Sequence, residues 1–294
     1  MRIPEFPATP DTGRPPEWTG DGFLVDGTLR RVLAYGAGAS GWSDALTTLH
    51  ETVAGSDHFI DVASRRHALE EARRAHGDAE HVVLEIGSSS GYLLQELVRA
   101  LPRAFVIGAD YTYGTLEQLA ARLSHVPLLQ FDLVNCPLPD ASVDTVILLN
   151  VLEHIERDDL AVRQLHRILR PGGIAIIEVP AGPGVYDDYD RALMHFRRYT
   201  MSGLTTLVKN AGFTNVRKSH LAFTIYPAFW AAKKLGQASP REAAHLETAV
   251  ESSISWSSKF KGAAGGLLEF EAWLRNLVYL PFGIRCLVTC RKSA

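Results

Sequence analysis

The sequence predicts an α/β protein: a doubly wound, mostly parallel sheet of seven strands whose last strand is antiparallel, with helical elements before the sheet and inserted into it. Three observations carry this. From about residue 81 onward, short apolar runs rich in β-branched residues alternate with stretches of helical periodicity. A turn of small residues, Gly87-Ser88-Ser89-Ser90-Gly91, joins the first run to the first of those helices. Finally, Glu85, Asp110, Asp132 and Asn150 stand at the ends of four successive runs, and parallel strands bring such ends to one edge.

The elements follow in order. Residues 1–26 are rich in proline and glycine and read as a flexible segment. Residues 27–80 read as a helical lid: Leu29, Val32 and Leu33 make one stripe, Ser43 caps a helix carrying Leu46, Leu49 and Val53, and Phe59, Val62 and Ala63 begin a third. Val82 to Ile86 is the first strand, and Leu93, Leu94, Leu97, Val98 and Leu101 mark the helix after the turn. Ala104 to Ala109 and Leu128 to Phe131 are the next strands, separated by a helix through Leu116, Leu119, Ala120 and Leu123. Asp144 to Leu149 is the fourth strand, and the helix through Ala161, Leu165 and Ile168 stops at Pro171-Gly172-Gly173. Ile174 to Val179 is the fifth strand. Thr200 caps a helix closed by Gly212. Asn215 to Leu221 is a weak sixth strand, and the alternation around Ile284, Cys286, Val288 and Cys290 is the seventh. The core is thus 81–221 with 283–294, and 222–282 is an inserted helical cap. Within the cap Ser239-Pro240-Arg241-Glu242 forms a capping box.

Composition narrows the function. The chain has 294 residues, 46% of them hydrophobic, and a net charge of -3, so no global basic field points to nucleic acid. Three cysteines form no C-x-x-C pair, which suits a reducing, cytoplasmic setting. Neither a signal peptide nor a run of transmembrane length is visible, so no integral membrane association is expected. Oligomeric state is not legible.

The small-residue turn admits three readings. A dinucleotide turn needs G-x-G-x-x-G, but the middle position is Ser89. A nucleophile elbow, G-x-S-x-G, is matched literally with Ser89 as nucleophile, which makes a serine hydrolase the remote alternative. The third is a turn for S-adenosylmethionine (SAM), opened by acid-x-Gly and followed by a second acid at the next strand end.

The ordered set of Leu84-Glu-Ile-Gly-Ser-Ser-Ser-Gly91, Ile107-Gly-Ala-Asp110, Phe131-Asp132, Pro137 to Asp144, Asn150-Val-Leu-Glu-His154 and Leu169-Arg-Pro-Gly-Gly173 resembles class I (Rossmann-like) SAM-dependent methyltransferases. The resemblance runs from Val82 to about Leu221. It implies SAM as cofactor, with Glu85, Gly87, Ser88, Ser89 and Gly91 around the methionine part. It further implies Asp110 and Tyr111 at the ribose, Asp132 and Leu133 at the adenine, and Asn150 at the methyl-donor end. Ser89 departs from the family's usual glycine but is small.

Other residues allow two readings each. Glu153-His154 could hold a divalent ion, but the neighbouring Asn150 is not anionic and hard cations prefer carboxylates, so capping and packing is preferred and no metal is expected. Phe223, Ile225, Tyr226, Phe229 and Trp230, with Lys233 and Lys234, form either cap packing or a wall for an apolar acceptor, with peripheral membrane contact as a further option. Arg197 and Arg198 either grip an anionic acceptor or pair with Asp187, Asp188 or Asp190. His195 is the favoured general base, with Tyr199 and His154 in reserve; the plainer reading of His195 is a bond to a nearby aspartate. Together these predict a biosynthetic enzyme that methylates a small molecule (a saccharide, lipid-linked or secondary-metabolite acceptor), at oxygen in first place. N- or C-methylation, or SAM binding without transfer, are the alternatives.

Overall fold

The computed structural model describes residues 3–36, 58–237 and 261–294. The helix expected after Ser43 and the capping box at Ser239 lie outside them. The seven predicted strands are present: β5 (His81–Ile86), β6 (Ala104–Asp110), β7 (Leu128–Gln130), β8 (Val143–Leu149), β9 (Leu169–Pro180), β10 (Phe213–Leu221) and β11 (Arg285–Lys292). An eighth, β4 (Val32–Ala34), joins them. The order across the sheet is β10-β11-β9-β8-β5-β6-β7-β4. Pairings from β4 through β9 are parallel, and β11 runs antiparallel to both β9 and β10.

Both faces of the sheet are covered, which is why its strands read as unbroken apolar runs. In β5, Val82, Leu84 and Ile86 enter one core and Val83 enters the other. The first core is closed by Ala161, Val162 and Leu165 of α4 (Asp158–Ile168) and by Leu204 and Val208 of α6 (Met201–Asn210). The second is closed by Ala68 and Ala72 of α1 (Phe59–His76), by α2 (Tyr92–Ala100) and by α3 (Tyr113–Arg122). Thr200 caps α6 as expected, its hydroxyl accepting from the Gly203 N–H at 3.0 Å.

The N-terminal segment differs from expectation. Residues 17–34 are strands, not a flexible stretch and a helical stripe. Glu17–Trp18, Phe23–Val25 and Thr28–Arg30 (β1, β2, β3) form a small antiparallel sheet, followed by β4. The reason is local. Asp26 and Gly27 both adopt positive φ, 48° and 77°, and Val25 pairs directly with Thr28, a two-residue hairpin that Asp-Gly favours. The supposed helical stripe then splits in the manner of a strand. Leu29 is exposed, Val32 enters one core and Leu33 the other. Phe6 packs edge-on against Phe23 with ring centroids 5.0 Å apart, which fixes residues ahead of the hairpin. Helix α1 does follow, and its first turns reach the carboxyl edge of the sheet.

Candidate active site

At the carboxyl edge, the turn after β5 is shaped by two glycines at φ 81° (Gly87) and 73° (Gly91). A Cβ on Gly87 would lie 2.5 Å from Val151 Cγ2, and one on Gly91 would lie 2.3 Å from Leu119 Cδ1. Neither position admits a side chain. Ser89 also has a positive φ, 44°, a region that costs an L-residue on the order of 1 kcal/mol. The Ser88 hydroxyl accepts from the Ala109 N–H at 3.0 Å and bolts the turn to β6. The Ser89 N–H donates to Asp110 Oδ2 at 3.0 Å, while Thr112 donates to Oδ1 from both its N–H and its hydroxyl at 3.0 Å. Burial pushes the Asp110 carboxyl up, and these donors oppose it. Burial and then the neighbouring Asp110 push the Glu85 carboxyl well above its ordinary range, and its Oε2 has no hydrogen-bond partner. An acceptor-rich pair thus stands beside a close-approach turn.

The other predicted strand ends gather here too. The Tyr111 carbonyl accepts from Gln130 Nε2 at 3.0 Å. Asp132 caps the single turn Leu133–Asn135, its Oδ1 accepting from the Val134 N–H at 3.0 Å, and Leu133 is buried. Asn150, at φ 55°, donates from Nδ2 to Glu178 Oε1 at 3.3 Å. Sequence reasoning missed Glu178. The same oxygen accepts from Ser64 Oγ of α1 at 2.8 Å and from Arg285 Nη1 of β11 at 2.6 Å, and Arg285 also holds Asp61. Burial opposes the Arg285 cation, yet Asp61 and Glu178 raise its pKa above the ordinary value. The signal for Glu178 was an acid inside an otherwise apolar strand, Ile176-Ile177-Glu178-Val179.

The loop after β9, with the short helix α5 (Asp188–Ala192), carries the second half of the candidate site. His195 is buried, and its Nδ1 lies 2.8 Å from Asp190 Oδ1. Asp190, with no exposed surface, is held by Arg198, whose Nε donates to both carboxylate oxygens at 2.8 Å. Burial pushes the Asp190 carboxyl up, but the His195 hydrogen bond and Arg198 hold it far below its usual range. A carboxylate only accepts, so Nδ1 carries the proton that faces Asp190 and Nε2 is the other ring nitrogen. The His154 ring meets the His195 ring edge-on, centroids 4.7 Å apart.

Several expectations change at this point. Arg198 is committed to Asp190 and to the Ala181 carbonyl, and Arg197 to Asp158 (2.9 Å) and the Glu156 carbonyl, so neither stands ready for an acceptor anion. The Tyr199 hydroxyl donates to Asp158 Oδ2 at 2.8 Å, and burial followed by Asp158 pushes its pKa far above the ordinary range, the wrong direction for a base. Lys233 is spent on Asp187 at 2.7 and 2.8 Å and Lys234 donates to the Gly184 carbonyl, which removes the basic patch imagined for membrane contact. Tyr226, on α7 (Tyr226–Gln237), stands beside Phe282 at 5.5 Å, and its hydroxyl is 3.5 Å from where a Gly182 Cβ would lie, at the start of this loop.

Among the described residues, Glu153, His154 and His195 form a group whose ligand-capable atoms all lie within 4.8 Å of one another. Glu153 is fully buried, neither oxygen has a hydrogen-bond partner, and burial pushes its carboxyl up to about 8. It therefore holds its proton at neutral pH, and a metal would first have to displace it.

Residues 84–177 match the methyltransferase domain family. That stretch, from β5 into β9, is similar to class I SAM-dependent methyltransferases. A probable SAM-dependent methyltransferase of Mycolicibacterium smegmatis is 36% identical over 154 residues, 51% of this chain and 58% of that protein. The chain thus spans little more than half the length of that curated relative. Among solved structures, a candidate sarcosine dimethylglycine methyltransferase of Galdieria sulphuraria superposes with TM-score 0.59 at 13% identity, covering 85% of this chain and 99% of that one. Phosphoethanolamine N-methyltransferase 2 of Haemonchus contortus, solved with S-adenosylhomocysteine, gives 0.56 at 15%, covering 84% and 57%. These structural likenesses establish the fold.

The similarity to SAM-dependent methyltransferases implies SAM as cofactor, and the residues fit it. The glycine turn leaves its backbone open where any Cβ would clash, the Glu85 carboxyl has an unpartnered oxygen, and the Asp110 carboxylate lies next to the turn.

Proposed function

We propose that this methyltransferase moves the methyl group of SAM to an oxygen of a small-molecule acceptor, with His195 as the general base. SAM supplies an electrophilic methyl on its sulfonium, so the protein's task is alignment of the acceptor and removal of its proton. Glu85, the Gly87–Gly91 turn, Asp110, Tyr111, Asp132, Leu133 and Asn150 hold the cofactor in this reading. The observation that carries the base role is the buried Asp190–His195 pair, with Asp190 clamped by Arg198. The aspartate fixes the ring's tautomer and stabilises the imidazolium formed on proton uptake. Tyr226 and Phe282 offer the acceptor an aromatic wall.

A mass-spectrometric screen of small hydroxylated acceptors with labelled SAM identifies the product. On that acceptor, His195→Ala keeps SAM affinity while the single-turnover rate falls about 10²–10⁴-fold, the range for a lost general base. A variant with near wild-type turnover sinks the base assignment.

A further inference from the structure

On the sheet face beneath α1, away from the cofactor turn, is a cavity of about 530 Å³. It is bounded by α1, β10, β11 and α8 (Lys261–Arg275) with the residues that follow. That volume falls within the usual range for a small-molecule site.

Its lining is rich in donors and short of acceptors. Arg74, Arg217, Lys218 and Arg275 contribute four cations against one lining carboxylate, Glu71. Glu71 is already shared between Arg74 and Arg217. Arg275 is the least satisfied. Its side chain is only 5% exposed, its nearest carboxylate, Glu70, is 4.0 Å away, and its Nη1 has no partner. Burial lowers its pKa, opposed at longer range by Glu70, Glu271, Glu178 and Glu71, so burial outweighs the surrounding carboxylates. Ser219 contributes a buried hydroxyl that is also unpartnered. His67 reports the local field. Burial, then Arg275, Arg217 and Arg74, hold its imidazole neutral. Leu277, Val278 and Leu287 give the lining an apolar part, beside Asn276, Tyr279 and Thr289.

We propose that this cavity is a second binding site, for the phosphate group of a ligand that also carries an apolar portion. A buried arginine with a free N–H, a second arginine and a hydroxyl supply the charge-assisted contacts that phosphate oxygens take. The apolar wall takes the rest. The site is independent of methyl transfer, since none of its lining residues belongs to the cofactor turn or the His195 loop.

The test is thermal stability of the full chain in inorganic phosphate against chloride at matched ionic strength. Phosphate raises the midpoint of the wild type beyond chloride. Arg217→Gln, at a half-exposed position (49%), weakens the apparent phosphate affinity about tenfold while stabilisation by S-adenosylhomocysteine is unchanged. Arg275→Gln does the same where it folds. The His67 imidazole, followed by NMR, titrates at higher pH once phosphate is bound. Short-chain phosphatidic acid below its micelle concentration separates the sources. Tighter binding than inorganic phosphate assigns a lipid phosphate, and equal binding assigns a free one. No phosphate effect beyond chloride, or an effect unaltered in Arg217→Gln, overturns the proposal.

Discussion

The turn after β5 is made by main-chain geometry, whereas the loop after β9 is made by paired charges. In the turn, two glycines at positive φ and backbone donors to Asp110 set the shape, and the participating residues lie close in sequence or at paired strand ends. In the loop, Asp190 binds His195 and Arg198, and Arg197 and Tyr199 reach back to Asp158. The difference teaches where each half can fail. The turn tolerates loss of a side chain but not gain of one. The loop tolerates little loss at its centre, because Asp190, His195 and Arg198 are buried against one another.

The sharpest way to break this contrast is Asp190→Ala. It leaves Arg198, 4% exposed, without its counter-charge and His195 without its orienting acceptor. Stability should fall by about 3–5 kcal/mol, the cost of breaking a buried pair from one side. Urea denaturation measures it, and a loss under about 1 kcal/mol would show that the pair is not what holds the loop.

Asp110→Ala probes the turn side. It removes an acceptor for the Ser89 N–H and the proposed ribose partner, so SAM and S-adenosylhomocysteine should bind about 10–100-fold more weakly, the loss of a hydrogen bond to a charged group. Calorimetry reads this directly, and unchanged affinity would detach Asp110 from the cofactor. NADH should not bind the wild type.

Glu153 sharpens the comparison through pH. Its folded pKa, about 8, lies above the ordinary 4.5. The folded state therefore binds the extra proton between those values, and stability from this group is full below about 4.5 and is lost as pH rises through about 8. Glu153→Gln should melt like the wild type at low pH and be more stable by about 1–3 kcal/mol above pH 8, where the buried carboxylate has no partner. Parallel melting curves from pH 6 to 9 would contradict this.

The smallest effect is at Ser89. Ser89→Gly relieves a left-handed φ and should stabilise the protein by about 1 kcal/mol or less. Ser89→Ala should leave turnover near normal. Abolished turnover in Ser89→Ala with SAM affinity intact would revive a chemical role for the hydroxyl.

What could be read from the sequence follows the same division. Glu85, Gly87, Gly91, Asp110 and Asp132 were visible because a parallel sheet dictates where strand ends go and a close turn dictates glycine. His195 was visible as a residue type in a loop, but its partner was one of three nearby aspartates, and only the folded loop selects Asp190. The Arg197–Asp158 and Arg285–Glu178 pairs join residues far apart in the chain, which no local pattern encodes. The opposite error came at the N-terminus. The Asp26-Gly27 hairpin signal was in plain sight, but the 3.6-residue spacing of Leu29, Val32 and Leu33 outweighed it over a span too short for periodicity to decide.

That N-terminal strand has a consequence for how the chain comes together. Val32 pairs with Leu128, at the opposite end of the sheet order from β10, so β4 has no sheet partner until β7 exists. During synthesis from the N-terminus, residues 32–34 must wait for nearly a hundred more to emerge before they can dock, a long closure that slows folding. Once docked, they cover the open side of β7, whose N–H and C=O groups would otherwise present a template to another chain. Removing the first 36 residues should therefore yield a chain that aggregates during refolding in proportion to its concentration, even where the methyl-donor site is intact.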